Sequence, residues 1–299
     1  MAGNDSRLRP LGRGVAAAVT LALASTLVGA SAIVAQGEEA TLERIQREGI
    51  ARVGFSNEAP FAFAGPEGVT GAAPEIMRAV FAEAGVTQLE GILVEFSGLI
   101  PGLVANRFDV IGAGMFVRPA RCEEVDFGDP EYALGEGLAV VAGNPKGLTT
   151  LQGFVDSGAR LGLLTGGAEV EYADIAGIAK EQQVLYPDGP TAIAGLQAGQ
   201  VDAVMLTTLS INDLVTKSGD PNIEFATMTE QPVDADGNPA IGYGAMAFRK
   251  DDDELRNFYN ERLAALKASG ELLTIMEPFG FTEAEMTDVK ATEICPDIS

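Results

Sequence analysis

The residue types on which most enzymes and metalloproteins rely are scarce in this chain. Its 299 residues include no histidine, and its cysteines are Cys122 and Cys295. Without histidine the chain cannot build a Ser-His-Asp triad, a Cys-His pair or a histidine metal site. Two thiolates are also too few for a four-thiolate zinc site. Acid–base chemistry would depend on carboxylates, and we expect neither a metal site nor a cofactor.

Acidic side chains dominate the ionisable groups. The chain has 43 Asp and Glu against 20 Lys and Arg, so its formal net charge is −23. A surface of this sign repels nucleic acids and anionic membranes, and neither is expected as a partner. Hydrophobic residues make up 46% of the chain. This content is typical of a folded globular protein with one large domain or two of ordinary size.

Two short patterns could bind a charged ligand or stabilise a helix. Thr165, Gly166 and Gly167 precede a predicted helix, and the N–H groups at a helix N-terminus can bind a carboxylate. The same three residues also suit an ordinary strand-to-helix turn. Residues 251–253 (DDD) begin another predicted helix, where acidic side chains stabilise the N-terminal dipole rather than bind a metal.

The N-terminus has the layout of an export signal. A basic segment, residues 1–14, precedes an uncharged apolar run, residues 15–34. Cleavage after Ala32 or Ala35 would fit the small-residue rule. We predict a cleaved signal peptide over residues 1–35. The alternative is a retained membrane anchor, because the apolar run is long enough to span a bilayer.

Export would change the chemistry of the cysteines. Cys122 and Cys295 would then lie in an oxidising compartment, where thiols can pair. They could form a disulfide that ties the C-terminal tail to the middle of the chain. The alternative is two unpaired, buried thiols.

Short apolar strands alternate with amphipathic helices, which predicts an α/β fold. The pattern restarts near residue 160 and gives two halves, the strand at 139–142 belonging to the first. Two-lobed α/β chains bind ligands in the cleft between their lobes. The predicted strands are 50–55, 92–95, 108–113, 139–142, 160–164, 183–186, 201–206 and 243–248. The predicted helices are 73–84, 99–105, 168 onward, 190–198, 210–217 and 252–269.

Six motifs occur in a characteristic order: 50–54 (IARVG) with 60–63 (PFAF), 96–103 (FSGLIPGL), 108–115 (FDVIGAGM), 118–121 (RPAR), 125–130 (VDFGDP) and 195–204 (GLQAGQVDAV). Together they resemble the polar amino-acid-type (family 3) periplasmic solute-binding proteins that feed ABC importers. The resemblance extends from about residue 42 to residue 290.

That resemblance implies a two-lobe periplasmic-binding-protein fold of type II, with two crossover strands. The ligand would lie in the interlobe cleft, where closure traps it. Lobe 1 would comprise residues 40–141 and 246–299, and lobe 2 residues 142–245. The resemblance further implies a monomeric, non-enzymatic periplasmic protein. It would deliver a small zwitterionic ligand to the membrane permease of an ABC importer.

By the same resemblance, Arg121 matches the family arginine that holds a ligand carboxylate through a bidentate pair. The alternative is a surface arginine that pairs with the neighbouring acidic residues Glu123 and Glu124. The neighbouring Arg118 has no family counterpart and is expected to face solvent. The family's acid for an α-ammonium group falls on Thr207. Because an unpaired buried ammonium is costly, this departure disfavours an ordinary amino acid.

Three phenylalanines, Phe61, Phe96 and Phe116, match cleft positions of the family. With Glu58 and Arg121 they would form an aromatic box for a delocalised cation. This combination resembles the ectoine/5-hydroxyectoine-binding branch, although Phe96 stands where that branch is expected to have Tyr or Trp. The alternative is that the three rings only pack in the core.

The expected lobe 2 cleft residues are Thr165, Gly166, Glu169 and Thr207. The leading hypothesis is a binding protein for ectoine or 5-hydroxyectoine. One alternative is an amino-acid or opine binder whose cation meets Glu58. A more remote one is a cyclohexadienyl-dehydratase-like enzyme that uses a carboxylate as acid or base. Because no histidine can titrate in the cleft, we expect the affinity to be flat near neutral pH.

Overall fold

The structure is a computed structural model that describes residues 39–234, 237, 239–296 and 298. The predicted signal peptide, residues 1–35, and the alternative membrane anchor both lie outside the described residues. Within the described part, none of the helices combines the length and the apolar character needed to cross a membrane.

The strands and helices follow the alternation that the sequence predicts. The strands are β1 (Ile50–Phe55), β2 (Phe63–Gly65), β3 (Gly68–Thr70), β4 (Gln88–Leu93), β5 (Val110–Ile111), β6 (Asp126–Phe127), β7 (Tyr132–Leu134), β8 (Glu136–Val141), β9 (Leu161–Leu164), β10 (Gln183–Tyr186), β11 (Ala203–Thr207), β12 (Ile223–Thr227), β13 (Gly242–Gly244) and β14 (Ala247–Phe248). The helices are α1 (Thr41–Glu48), α2 (Ala72–Ala82), α3 (Leu99–Val104), α4 (Pro119–Cys122), α5 (Leu151–Ser157), α6 (Ala168–Ile175), α7 (Gly189–Gln197), α8 (Thr208–Ser218), α9 (Asp253–Ser269), α10 (Glu271–Met276) and α11 (Ala291–Ile294).

The first sheet has the strand order β4-β1-β5-β14-β6. Strand β1 runs parallel to β4 and to β5, whereas β14 is antiparallel to β5 and β6. Helix α2 presents an apolar face at helical spacing, and Ile76, Val80 and Phe81 on that face are buried. This sheet and its helices form what we call lobe 1.

The second sheet has the strand order β10-β9-β11-β8-β12. Strand β9 is parallel to β10 and β11, and β8 is antiparallel to β11 and β12. This pairing corrects the assignment of residues 139–142 to the first half. The segment belongs to β8, a largely buried strand whose partners on both sides lie more than 60 residues further along the chain, so a local pattern could not place it. The second sheet and its helices form lobe 2.

Two extended connections join the lobes. The chain leaves lobe 1 through β7 and returns through β13, and these two strands pair antiparallel. The predicted strand at 243–248 is therefore divided into β13, in the connection, and β14, in the first sheet. The α/β architecture of two lobes with two crossovers confirms the type II fold that the resemblance implies. The residue boundaries assigned to the lobes stay a prediction.

A disulfide links Cys122, at the end of α4, to Cys295, just after α11. The Cα atoms are 6.3 Å apart, within the ordinary range for a disulfide. The alternative of two free thiols is therefore wrong. The bond fastens the C-terminal segment to the short helix that carries Arg121.

Candidate ligand-binding site

A small cavity lies between the two lobes. It is lined by Glu58, Phe61, Phe96, Gly114, Phe116, Arg121, Leu164, Gly167, Ala168, Glu169 and Thr207. Its volume of ≈ 20 Å³ is close to the space that one water molecule needs. The lobes are thus closed in this conformation, and a solute would enter only when they separate.

The carboxyl ends of parallel strands position the cavity wall. In lobe 1, Glu58 and Phe61 follow β1, Phe96 follows β4, and the segment from Gly114 to Arg121 follows β5. In lobe 2, the residues up to Glu169 follow β9, and Thr207 ends β11. Because such ends meet at one edge of a sheet, segments far apart in sequence converge. The structure thereby brings together Glu58, Phe61, Phe96, Phe116, Arg121, Glu169 and Thr207.

Arg121 spans the cleft from lobe 1. Its Nη1 donates to the carbonyl of Phe116 at 2.9 Å, and its Nη2 donates to the carbonyl of Gly166, in lobe 2, at 3.0 Å. Its guanidinium carbon lies 5.4 Å from the centre of the Phe96 ring. Burial and the charge of the neighbouring Arg118 lower the pKa of Arg121 to about 10, so it stays cationic at neutral pH. A guanidinium has further N–H donors, which suit a carboxylate.

The alternative surface role of Arg121 finds no support in the described residues. No ion pair joins it to Glu123 or Glu124 there, and both of those side chains are exposed. The guanidinium instead contacts the backbone of both lobes at the cavity.

The three phenylalanines form part of the cavity wall, and each is largely buried. Phe61 stacks on Tyr132 at a centroid distance of 5.5 Å. Phe116 fits closely against Gly242, where an added Cβ would lie 1.9 Å from its ring. Phe96 supports the guanidinium of Arg121. The rings are thus packed against protein on one side while they line the cavity.

Glu58 connects the two lobes through its carboxylate. The hydroxyl of Ser210, in α8, donates to Glu58 Oε1 at 2.7 Å. Burial raises the pKa of Glu58 to about 7, with a smaller contribution from the charge of Glu169, and the Ser210 hydrogen bond opposes this rise. The expectation of pH-independent binding rested on the absence of histidine. Because the half-buried carboxyl of Glu58 titrates near neutral pH, the cleft contains a group that can make binding depend on pH without histidine.

Glu169 is an acidic residue of the lobe 2 wall, in the first turn of α6. It is 5% exposed, and its Oε2 has no hydrogen-bond partner among the described residues. Burial raises its pKa, whereas a hydrogen bond from its own backbone N–H and the charge of Arg121 lower it. Glu169 itself therefore occupies one backbone N–H at the start of α6, where the sequence predicts that N–H groups could bind a ligand carboxylate.

Thr165 and Gly166 lie beside the cavity and are not among its lining residues. The Thr165 hydroxyl donates to the carbonyl of Tyr186 at 3.0 Å, which holds the edge of the second sheet. The Gly166 carbonyl accepts from Arg121. In the closed conformation these two residues therefore support the wall, and Gly167 and Ala168 take their place in it.

Arg118 differs from its expected place. Instead of facing solvent it reaches lobe 2, where Nη2 pairs with Glu171 at 2.5 Å and Nη1 donates to the carbonyl of Ala168 at 3.4 Å. Its guanidinium carbon lies 4.9 Å from the centre of the Tyr172 ring. The side chain is only 14% exposed because α6 covers it. Arg118 thus forms a contact between the lobes outside the cavity.

Residues 251–253 lie at the N-terminal end of α9, as the sequence predicts. Asp252 precedes the helix, accepts from Thr41 at 2.5 Å and pairs with Arg249 at 2.5 Å. The described residues contain no cluster of His, Cys, Asp or Glu that could hold a metal ion.

Sequence reasoning missed several residues of the site. Gly114, Leu164 and Ala168 line the cavity, and Glu136 is buried next to it with 1% exposure. The signal for Glu136 was available, since a charged residue begins an otherwise apolar strand, EGLAVV. Its neighbours in space, however, depend on strand pairing.

The chain matches the model of the bacterial extracellular solute-binding proteins, family 3, over residues 51–282. A probable amino-acid ABC transporter periplasmic-binding protein of Sinorhizobium fredii is 30% identical over 97% of this chain and 95% of the relative. The L-cystine-binding protein of Escherichia coli is 25% identical over 85% of this chain and 91% of the relative.

Solved structures agree with this match. The crystal structure of EhuB in complex with hydroxyectoine is similar with a TM-score of 0.78 and 37% identity, covering 85% of this chain and 97% of the other. An ancestral arginine-binding protein bound to glutamine has a TM-score of 0.67 and 26% identity, with 78% and 98% covered. The family match, the relatives and the two-lobed fold agree. This chain belongs to the bacterial extracellular solute-binding proteins, family 3, and is a solute-binding protein of an ABC transporter.

Proposed function

We propose that the protein captures ectoine or 5-hydroxyectoine in the periplasm and delivers it to the membrane permease of an ABC importer. The observation that carries this proposal is one cavity lined by Phe61, Phe96 and Phe116 together with Glu58 and Arg121. The similarity to EhuB, which was solved with hydroxyectoine, supports it. The predicted signal peptide would direct the chain to the periplasm.

The chemistry of ectoine suits the lobe 1 wall. Its carboxylate would pair with the N–H donors of Arg121. Its cyclic amidinium carries a delocalised, weakly hydrated charge, which aromatic rings attract by about 0.5–2 kcal/mol per contact. Glu58 would supply the anionic partner of an amidinium N–H. Opening of the cleft, entry of the zwitterion and closure would then trap it.

A second candidate is an amino acid. Two relatives are named for amino-acid or L-cystine binding, and the lobe 2 wall carries the carboxylate of Glu169, which could receive an ammonium group. In this case Thr207 would not carry the charge that the family pattern places there. Instead, the cation would meet Glu58 or Glu169.

Titration calorimetry separates the candidates. We expect ectoine and 5-hydroxyectoine to bind at micromolar or lower Kd, with L-arginine, L-cystine, L-proline and glycine betaine at least about tenfold weaker. Tight binding of one amino acid with no heat from the ectoines would replace the first candidate by the second. Turnover of prephenate or arogenate by the purified protein would contradict both, because both describe a binding protein rather than an enzyme.

A further inference from the structure

Glu136, flanked by Gly135 and Gly137, is the first residue of β8 at the edge of the cavity. In the antiparallel pairing of β8 with β11, Glu136 lies directly opposite Thr207. Residues directly opposite in such a pair project from the same face of the sheet, with Cβ atoms about 4.5–5.5 Å apart. Since Thr207 lines the cavity, Glu136 lies on the cavity side of the second sheet.

Strand β12 pairs with β8 only as far as Gly137. Beyond that point the side chain of Gln231 takes the place of β12 and binds the backbone of Glu136. Gln231 Nε2 donates to the Glu136 carbonyl at 3.1 Å, and the Glu136 N–H donates to Gln231 Oε1 at 2.7 Å. At Gly135 an added Cβ would lie 2.7 Å from this same amide oxygen, so a side chain at this position would push the Gln231 amide aside. The main chain, rather than bonds of its own carboxylate, thus fixes the direction of the Glu136 side chain.

The carboxyl group of Glu136 is buried without a hydrogen-bond partner in the part of the chain that the structure describes. Neither oxygen makes a hydrogen bond to any described residue, although the side chain is only 1% exposed. The charges that act on it come from Glu169 in α6, Glu58 in lobe 1 and Arg118 just before α4. Burial and the two carboxylates raise its pKa well above the usual value, and Arg118 opposes them. A buried acid without a partner is costly, and a ligand cation would relieve that cost.

We propose that Glu136 is the residue that makes this cavity select ligands with a positively charged group. From the neighbouring strand β8 it supplies the acidic group that the family pattern places at position 207, where this chain has Thr207. The inference rests on the proposed function, because it assumes that the cavity binds a small zwitterion. Beside a ligand cation, Glu136 and Glu169 ionise and together give the lobe 2 wall a negative charge. The cavity thereby favours zwitterions and cations and rejects dicarboxylates.

The variant Glu136→Gln keeps the shape of the side chain and removes its charge. With ectoine as the calorimetric probe, and L-arginine as the probe if ectoine gives no heat, we expect the variant to bind at least about tenfold more weakly than the wild type. The affinity for L-glutamate should rise relative to the affinity for that probe. The melting temperature of the ligand-free variant should stay equal or rise, because an unpaired buried acid is removed. Glu136→Asp should retain part of the affinity.

Glu131→Gln is the matched control. Glu131 is equally buried and accepts from Tyr259 at 2.6 Å in lobe 1, and it does not line the cavity. Its variant should bind the probe like the wild type. An unchanged affinity of Glu136→Gln, or a joint loss of affinity and melting temperature that marks a structural role, would overturn the inference. If the wild type binds no member of the panel, the proposed function fails first and this inference with it.

Discussion

The two walls of the cavity differ in how complete they are without a ligand. On the lobe 1 wall, Arg121 donates to the carbonyl of Phe116 in its own lobe and rests on Phe96, and Phe61 stacks on an aromatic neighbour. On the lobe 2 side, Glu169 and Glu136 carry buried carboxylate oxygens without a hydrogen-bond partner among the described residues. The first wall is satisfied by protein contacts, whereas the second keeps buried carboxyl oxygens to which no described residue donates a hydrogen bond.

This difference assigns distinct tasks to the lobes. A preformed wall can orient a ligand at little entropic cost, so lobe 1 would bind the solute first. An acidic wall that must be desolvated on closure favours closure over a cation and opposes it otherwise. Lobe 2 would therefore close stably only over a ligand that carries a positive charge. If the lobes divide the work in this way, substitutions in the two walls should change the affinity to different degrees.

The largest effect should come from Arg121→Ala. It removes a charge-assisted contact to the ligand carboxylate, worth about 1.5–3 kcal/mol, so the Kd for ectoine should rise by about 10- to 100-fold. Calorimetry would measure the change. Arg107→Ala, at an exposed arginine of lobe 1, should leave the Kd unaltered. A Kd within about twofold of the wild type in Arg121→Ala would contradict the orienting role of lobe 1.

The affinity should depend on pH through Glu58. Its pKa of about 7 in the closed protein means that the carboxyl gains a proton as the pH falls through neutrality. A protonated carboxyl cannot pair with the ligand cation, so the affinity should fall towards acid pH, by up to about tenfold per unit. Calorimetry at pH 5, 6, 7 and 8 would show this. The variant Glu58→Gln should bind more weakly and give a flatter profile, and a flat wild-type profile would exclude this role of Glu58.

An intermediate effect is expected from Phe116→Leu. The substitution keeps an apolar side chain and removes the aromatic face, so ectoine should bind about tenfold more weakly. A plain amino acid, whose compact ammonium is more strongly hydrated, should lose less. Phe81→Leu, in the core of lobe 1, controls for general loosening. Equal losses for both ligands would show that Phe116 acts through packing alone.

The smallest effect on affinity should come from the disulfide. The double variant Cys122→Ser/Cys295→Ser should lose about 2–4 kcal/mol of unfolding free energy, because the cross-link closes a long loop in the unfolded chain. Denaturant unfolding would measure it. The Kd should change by less than about threefold, since Arg121 is also held by its carbonyl contacts. A much larger loss of affinity would show that the disulfide, rather than those contacts, positions the lobe 1 wall.

The two walls also differ in how well the sequence predicts them. Arg121 and Phe96 lie in short contiguous motifs, Phe116 directly follows another, and the structure brings the three together. Glu136 escaped notice because its nearness to Thr207 comes from pairing between strands more than 60 residues apart. The same non-local pairing put residues 139–142 in the wrong half. Arg118 was misplaced because α6, which covers it, lies in the other lobe.

A crystal structure of the protein grown with ectoine tests the central claim most directly. The ligand carboxylate should lie within hydrogen-bond distance of Arg121. The amidinium should lie among Phe61, Phe96 and Phe116, with Glu58 or Glu136 facing its positive charge. A ligand bound outside the interlobe cavity, or in the cavity with its carboxylate turned away from Arg121, would contradict the account.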